Sequence, residues 1–242
     1  MARLPRLYAP QIPQLVQAEF AQPLALPSDA TPADRLDRIL GWLQQGVSEH
    51  KVALHGWLLL NDRITLLATP PDAQSLPRLV QSLGRRMAAG MRHGRVFSGR
   101  YRSALVQPGH WVLPALVWLE SLPVQLQYVD KAPNWPWSSA GVHIGAHDAR
   151  LDAMVTDHGD YWACGNTPFA RQARYRDLLH YGLSAQDSRR IQGALFGQWV
   201  LGESDFLTRL QGLATRRLAP AARGRPRKQP AEAGLEGLSG PA

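Results

Sequence analysis

Between Asp72 and Glu120 the chain carries no acidic residue, while Arg78, Arg85, Arg86, Arg92, Arg95, Arg100 and Arg102 all fall in that interval. A guanidinium is planar, permanently charged and shaped for two-point contact with phosphate. So long a stretch without a carboxylate reads as a phosphate-binding surface, with a plain solvated cationic face as the alternative. Arg100 and Arg102 flank Tyr101 on the approach to an expected strand. Alternate strand residues share a face, so these two can grip consecutive phosphates while Tyr101 points into the core. Arg85, Arg86 and Arg92 on the preceding helix, with Arg95 after it, complete this candidate set. Near the end, Arg223-Gly-Arg-Pro-Arg-Lys228 places Arg223, Arg225, Arg227 and Lys228 around a glycine-arginine-proline core. An extended basic segment of this kind suits the narrow minor groove of A·T-rich duplex; a basic tail with no DNA role is the alternative.

Other chemistries find less support. Cys164 is the only cysteine, which excludes an internal disulfide, and no Cys/His cluster has the spacing of a zinc site. His55 opens an expected strand, and His143 and His147 stand at i and i+4 in a glycine-containing loop without a third ligand. A surface or capping role is expected for each, and no cofactor. At 242 residues and 45% hydrophobic content the chain can bury one sizeable core and a smaller second unit. The net charge of +8 favours a polyanionic partner. Its longest apolar runs, such as Val52 to Leu60, fall short of the roughly 20 residues that span a bilayer. A soluble protein of a reducing cytoplasm, without a membrane partner, is expected; self-association as a homodimer stays open.

The elements that position these residues follow from periodicity. A strand is expected near Leu15 to Phe20. Thr31-Pro-Ala-Asp34 signals a helix start with Thr31 as N-cap, and Leu36, Ile39, Leu40 and Leu43 then recur at helical spacing until about Gly46. Lys51 to Leu60 and Ile64 to Ala68 form a hairpin about the turn Asn61-Asp62. A second helix covers Ser75 to Met91, a short strand Ala104 to Gln107, and a third helix begins near Trp111, with Pro123 expected to break it. Strand, helix, hairpin, helix, strand is the order of an α+β ferredoxin-like sandwich, an antiparallel sheet with helices on one face. From about residue 149 the pattern turns helical, with starts at Thr167 and Ser184 and a last helix over Glu203 to Leu213. These helices are either a helix-turn-helix-like module or an appendage that completes the core. The expected division is a domain over 1–148, a helical region over 149–218 and a disordered basic tail over 219–242.

Several segments together resemble the REP-associated tyrosine transposases of bacteria, a branch of the single-tyrosine HUH superfamily. They are MARLPRLYAP, the hairpin at 55–70, LVQSLGRRM, RVFSGRYRSALV, WPWSS, TPFARQARYRDLL, VLGESDF and RGRPRK, in the family's order over most of the chain. The resemblance implies a ferredoxin-like catalytic domain, binding of single-stranded or hairpin-forming DNA repeats, and Mg²⁺ or Mn²⁺ in active members. It also implies a pair of metal-binding histidines on the second hairpin strand and a tyrosine nucleophile on the following helix.

This chain departs from that pattern where the chemistry lies. Arg63 and Thr65 stand in place of the histidines, and Trp118 in place of the tyrosine. A guanidinium has no lone pair for a cation, a threonine hydroxyl is a weak ligand, and an indole has no nucleophilic atom. The family's arginine-asparagine turn reads Ala18-Glu19-Phe20-Ala21, and its asparagine near the end of the tyrosine helix is absent from Ser121-Leu122-Pro123. The resemblance therefore points to a transposase-family DNA-binding protein without catalysis. The alternatives are an active transposase or nuclease with a rearranged site, for which Tyr101 and Tyr128 are the nearest candidate nucleophiles, and a non-functional remnant of a mobile element. Trp118 either offers a plane on which an unpaired base could stack or simply fills the pocket left by the lost metal.

Overall fold

The structure, a computed structural model, describes residues 5–26, 29–91, 94–146, 153–212, 214 and 216–220. Strand β1 (Gln14–Glu19) is followed by α1 (Ala33–Glu49), the hairpin of β2 (Ala53–Leu59) and β3 (Arg63–Thr69), α2 (Ser75–Met91), β4 (Arg102–Val106) and α3 (Val112–Gln125). Apolar spacing accounts for the helices: Leu36, Ile39 and Leu43 are buried on α1, and Leu76, Leu79, Leu83 and Met87 on α2. Boundaries differ where contacts override local signals. Thr31 is not the cap of α1; Pro32 occupies that position and no side chain closes the helix start. Helix α1 also runs past Gly46, because α2 approaches there and a Cβ would lie 2.6 Å from Leu79 Cδ1. Helix α3 continues through Pro123, which sits in its last turn where only one backbone bond is lost, and Leu126 N still donates to Leu122 O at 2.9 Å.

The sheet order is β2-β3-β1-β4-β5. Its first four strands pair antiparallel, and β1-α1-β2-β3-α2-β4 is the ferredoxin-like arrangement. Residues paired across strands share a face. Leu15, Gln17 and Glu19 lie opposite Leu67, Thr65 and Arg63, and β2 adds Gly56 and Leu58 to the same side. Helix α3 covers this side: a Cβ on Gly56 would stand 2.4 Å from Leu116 Cδ2. Helices α1 and α2 cover the other, where Phe20 stacks on Phe97 and Phe97 touches Gly84 of α2. With both faces covered, β2 and β3 are buried along nearly their whole length instead of at alternate positions. The free edge of β2 is closed by residues 135–139, where Trp137 O accepts from Leu59 N at 2.9 Å and Ser139 N donates to Trp57 O at 3.0 Å.

Beyond a 3₁₀ turn (Ala132–Asn134) come α4 (Ala140–His143), α5 (Gly159–Trp162), α6 (Pro168–Tyr181), α7 (Ala185–Gly197), β5 (Val200–Leu201) and α8 (Ser204–Gln211). Thr167 and Ser184 cap α6 and α7, accepting from Ala170 N at 3.2 Å and Asp187 N at 3.0 Å. Both helices pack on α3, and Tyr175, Ile191 and Leu195 join its core. Strand β5, absent from the sequence reading because two residues display no period, pairs parallel with β4. The tail from residue 221 onward lies outside the described residues.

Candidate nucleic-acid interface

Cross-strand pairing puts the residues that replace the expected metal ligands on the α3 side of the sheet, beside β1. Arg63 is opposite Glu19 and Thr65 opposite Gln17. The Arg63 guanidinium is held by its neighbour Asp62, with Nε donating to Oδ1 at 2.9 Å and a second contact to Oδ2 at 2.6 Å. That bond holds its pKa above the ordinary value against the opposing effect of burial. Glu19 accepts from Gln17 Nε2 at 3.2 Å and pairs with Arg102 at 3.4 Å. Thr65 is fully buried, and its hydroxyl has no partner among the described residues. These groups do not fit a divalent cation: both carboxylates are already engaged, Asp62 by Arg63 and Glu19 by Arg102 and an amide, and a fixed guanidinium charge stands between them. Among the described residues no group of three or more His, Cys, Asp or Glu is placed to hold a metal. Trp118 is 2% exposed and belongs to the core, so its ring offers no stacking plane to a ligand. Tyr101 is buried. Tyr128 is 40% exposed, packs on Trp135 and lies within electrostatic reach of Arg63.

The candidate cations stand in different settings. Arg86 is engaged between helices, bonded to Gln45 and paired with Glu49 at 3.0 Å, and Arg95 bonds the carbonyls of Phe97 and Ser98. Arg85 is exposed on α2. Arg92, Arg223, Arg225, Arg227 and Lys228 lie outside the described residues. Arg100 and Arg102, by contrast, join a concave surface that their spacing alone does not reveal. Two cavities, of about 580 and 480 Å³, meet at Pro5 and Arg100. Arg6 and Tyr101 line the first; Arg102, Trp199 and Arg216 line the second, and among the described residues no carboxylate lines either. Arg6 stacks 3.5 Å from the centre of the Tyr101 ring, and burial lowers its pKa. Arg216 bonds the carbonyl of Gln198, leaves its buried Nε without a partner among the described residues, and is likewise lowered by burial. Four guanidiniums around joined cavities, of which only Arg102 is paired with a carboxylate among the described residues, form a surface that an anion would neutralise.

No protein-family model matches the chain, and no curated protein matches it. The fold is that of a solved transposase. The structure of a REP-associated tyrosine transposase bound to a REP hairpin is similar to this chain at a TM-score of 0.50 and 10% sequence identity, covering 66% of this chain and 96% of that one. At that identity the likeness is one of fold.

Two side-chain groups escaped the sequence reading. Glu120, in the apolar segment VWLESLPV, is fully buried and accepts from Ser139 Oγ at 2.5 Å, His143 Nδ1 at 2.6 Å and Tyr175 OH at 2.7 Å. His143 is therefore a core residue and not a surface one. Burial pulls its pKa down, and the charge and hydrogen bond of Glu120 more than reverse this, leaving it raised. His55 is also buried, bonded to Thr156 O at 2.7 Å and Thr69 Oγ1 at 2.8 Å, and burial lowers its pKa to about 4. A lone acid in an apolar helix was the one signal available for Glu120, since such a group must find partners when buried. His147 lies outside the described residues. The second missed group is Arg6 with Arg216, which neither composition nor spacing connects.

Proposed function

We propose that this chain is a DNA-binding protein of the REP-associated tyrosine transposase type, which recognises single-stranded or hairpin-forming repeats in a bacterial cytoplasm without cutting them. The observation that carries the reading is the pair of joined cavities walled by Arg6, Arg100, Arg102 and Arg216, with no carboxylate among the lining residues. The likeness of fold to a protein bound to a REP hairpin supports DNA as the anion. Arg63 tied to Asp62, a buried Thr65 and a buried Trp118 support the absence of cleavage, because none supplies a metal ligand or a nucleophile. No described helix is long and apolar enough to cross a membrane.

A second reading, an active enzyme with a rearranged site, draws on the exposed Tyr128 near Arg63. A gel assay with labelled hairpin and single-stranded oligonucleotides, with and without Mg²⁺ or Mn²⁺, separates them. A shifted complex without a denaturation-resistant adduct is expected. An adduct abolished by Tyr128→Phe would establish the second reading instead. Absence of any shift would leave a non-functional remnant as the account of the chain.

A further inference from the structure

Trp199 stands at the meeting of α7, β5 and the arginine cavity. The chain leaves α7 through Gln198, whose φ of 56° and ψ of 40° are left-handed, and Trp199 N then bonds back to Ala194 O at 2.8 Å. This reversal lays the indole against the end of its own helix: a Cβ on Gly197 would stand 2.1 Å from Trp199 Nε1. The ring remains half-buried, its N–H donates to no group among the described residues, and it forms part of the wall of the 480 Å³ cavity. Arg216 lies 5.5 Å from the ring centre, and Arg102 lies 4.8 Å from the centre of Phe196, which is 45% exposed beside it.

An indole face beside Arg100 and Arg216, neither paired with a carboxylate among the described residues, combines the two recognition elements of a nucleotide, a stacking plane and cations for the phosphates on either side. The volume falls within the range of about 300 to 1,000 Å³ typical of ligand pockets. A base pair inside a duplex already stacks on both its faces, so apart from the end of a stem it is an unpaired base that can present a face to the ring. We propose that Trp199 is the stacking floor for one unpaired base of single-stranded DNA, with Arg100 and Arg216 on the flanking phosphates. This inference rests on DNA binding at the arginine cavities and adds the kind of nucleotide that enters.

The test compares two hairpin oligonucleotides that differ in one respect: a thymidine flank in the first and the same flank without bases in the second. Wild-type protein should bind the abasic probe about tenfold more weakly, in line with the usual effect of losing one base–aromatic stack. Trp199→Leu should lower affinity for the thymidine probe to the abasic level and leave the abasic affinity unchanged, while Trp199→Phe should restore most of the difference. Gly197→Ala, which displaces the indole, should act like Trp199→Leu. Equal wild-type affinity for the two probes would overturn the stacking floor and leave DNA binding intact. So would Trp199→Leu weakening both probes alike. No binding to either probe would remove the parent reading together with this one.

Discussion

At His55 the removal of water and two hydrogen bonds act on one imidazole in the core. Burial lowers its pKa from 6.5 to about 4, so the folded state holds it neutral. The sign follows directly. A histidine with a depressed folded pKa contributes stability above its unfolded value, and that contribution is lost as pH falls from about 6.5 towards 4, amounting to about 3 kcal/mol for a shift of this size. His143 has the opposite sign, since Glu120 raises it: its contribution is complete below the unfolded value and is lost as pH rises through the folded one. Of these two histidines, His55 is therefore the one that loses stability on acidification. Urea denaturation of His55→Gln across pH 4 to 7 should show a flatter dependence than the wild type, and an unchanged slope would assign the acid loss elsewhere. The same burial explains why residue types misled in the sequence. A histidine reads as a surface group and Trp118 as an exposed plane until the elements packed around them close over both.

Among the elements, agreement with the sequence was best where a signal acts locally. Ser184 and Thr167 lie within three residues of the amides they cap, and both caps form. Thr31 carries the same signal but makes no cap bond. Ser184→Ala should cost about 1 kcal/mol in chemical denaturation, and Thr31→Ala less than about 0.5. Comparable losses at both sites would mean that the two helix starts are equivalent after all. The departures at Gly46 and Pro123 have separate causes. Each residue would end an isolated helix, but Gly46 is required by the approach of Leu79, and Pro123 falls where α3 is nearly finished. Strand β5 was invisible because its two residues exist as a strand only through pairing with β4.

For the whole molecule, the net charge of +8 is less informative than its placement. Arg86 is spent within the fold on Glu49, whereas Arg100 faces a cavity without a carboxylate partner among the described residues. DNA affinity measured over a series of salt concentrations should therefore separate them. Arg100→Ala should weaken binding and reduce the slope of log affinity against log salt by about one, the signature of one phosphate contact. Arg86→Ala should leave the slope unchanged. A slope altered by Arg86 and not by Arg100 would move the interface to the α1–α2 face.

By itself the sequence determined the strand, helix, hairpin, helix, strand order of the first domain, the cationic character of the chain and the residue types at 63, 65 and 118, since each depends on residue type and on neighbours a few positions away. Tertiary structure alone decided which arginines are balanced, that Glu120 and His143 meet in the core, and that Trp199 borders Arg100 and Arg216. Those pairings join residues roughly a hundred positions apart in the case of Arg100 and Arg216, and no periodicity encodes a distance that only the packing of β4, β5 and α7 creates.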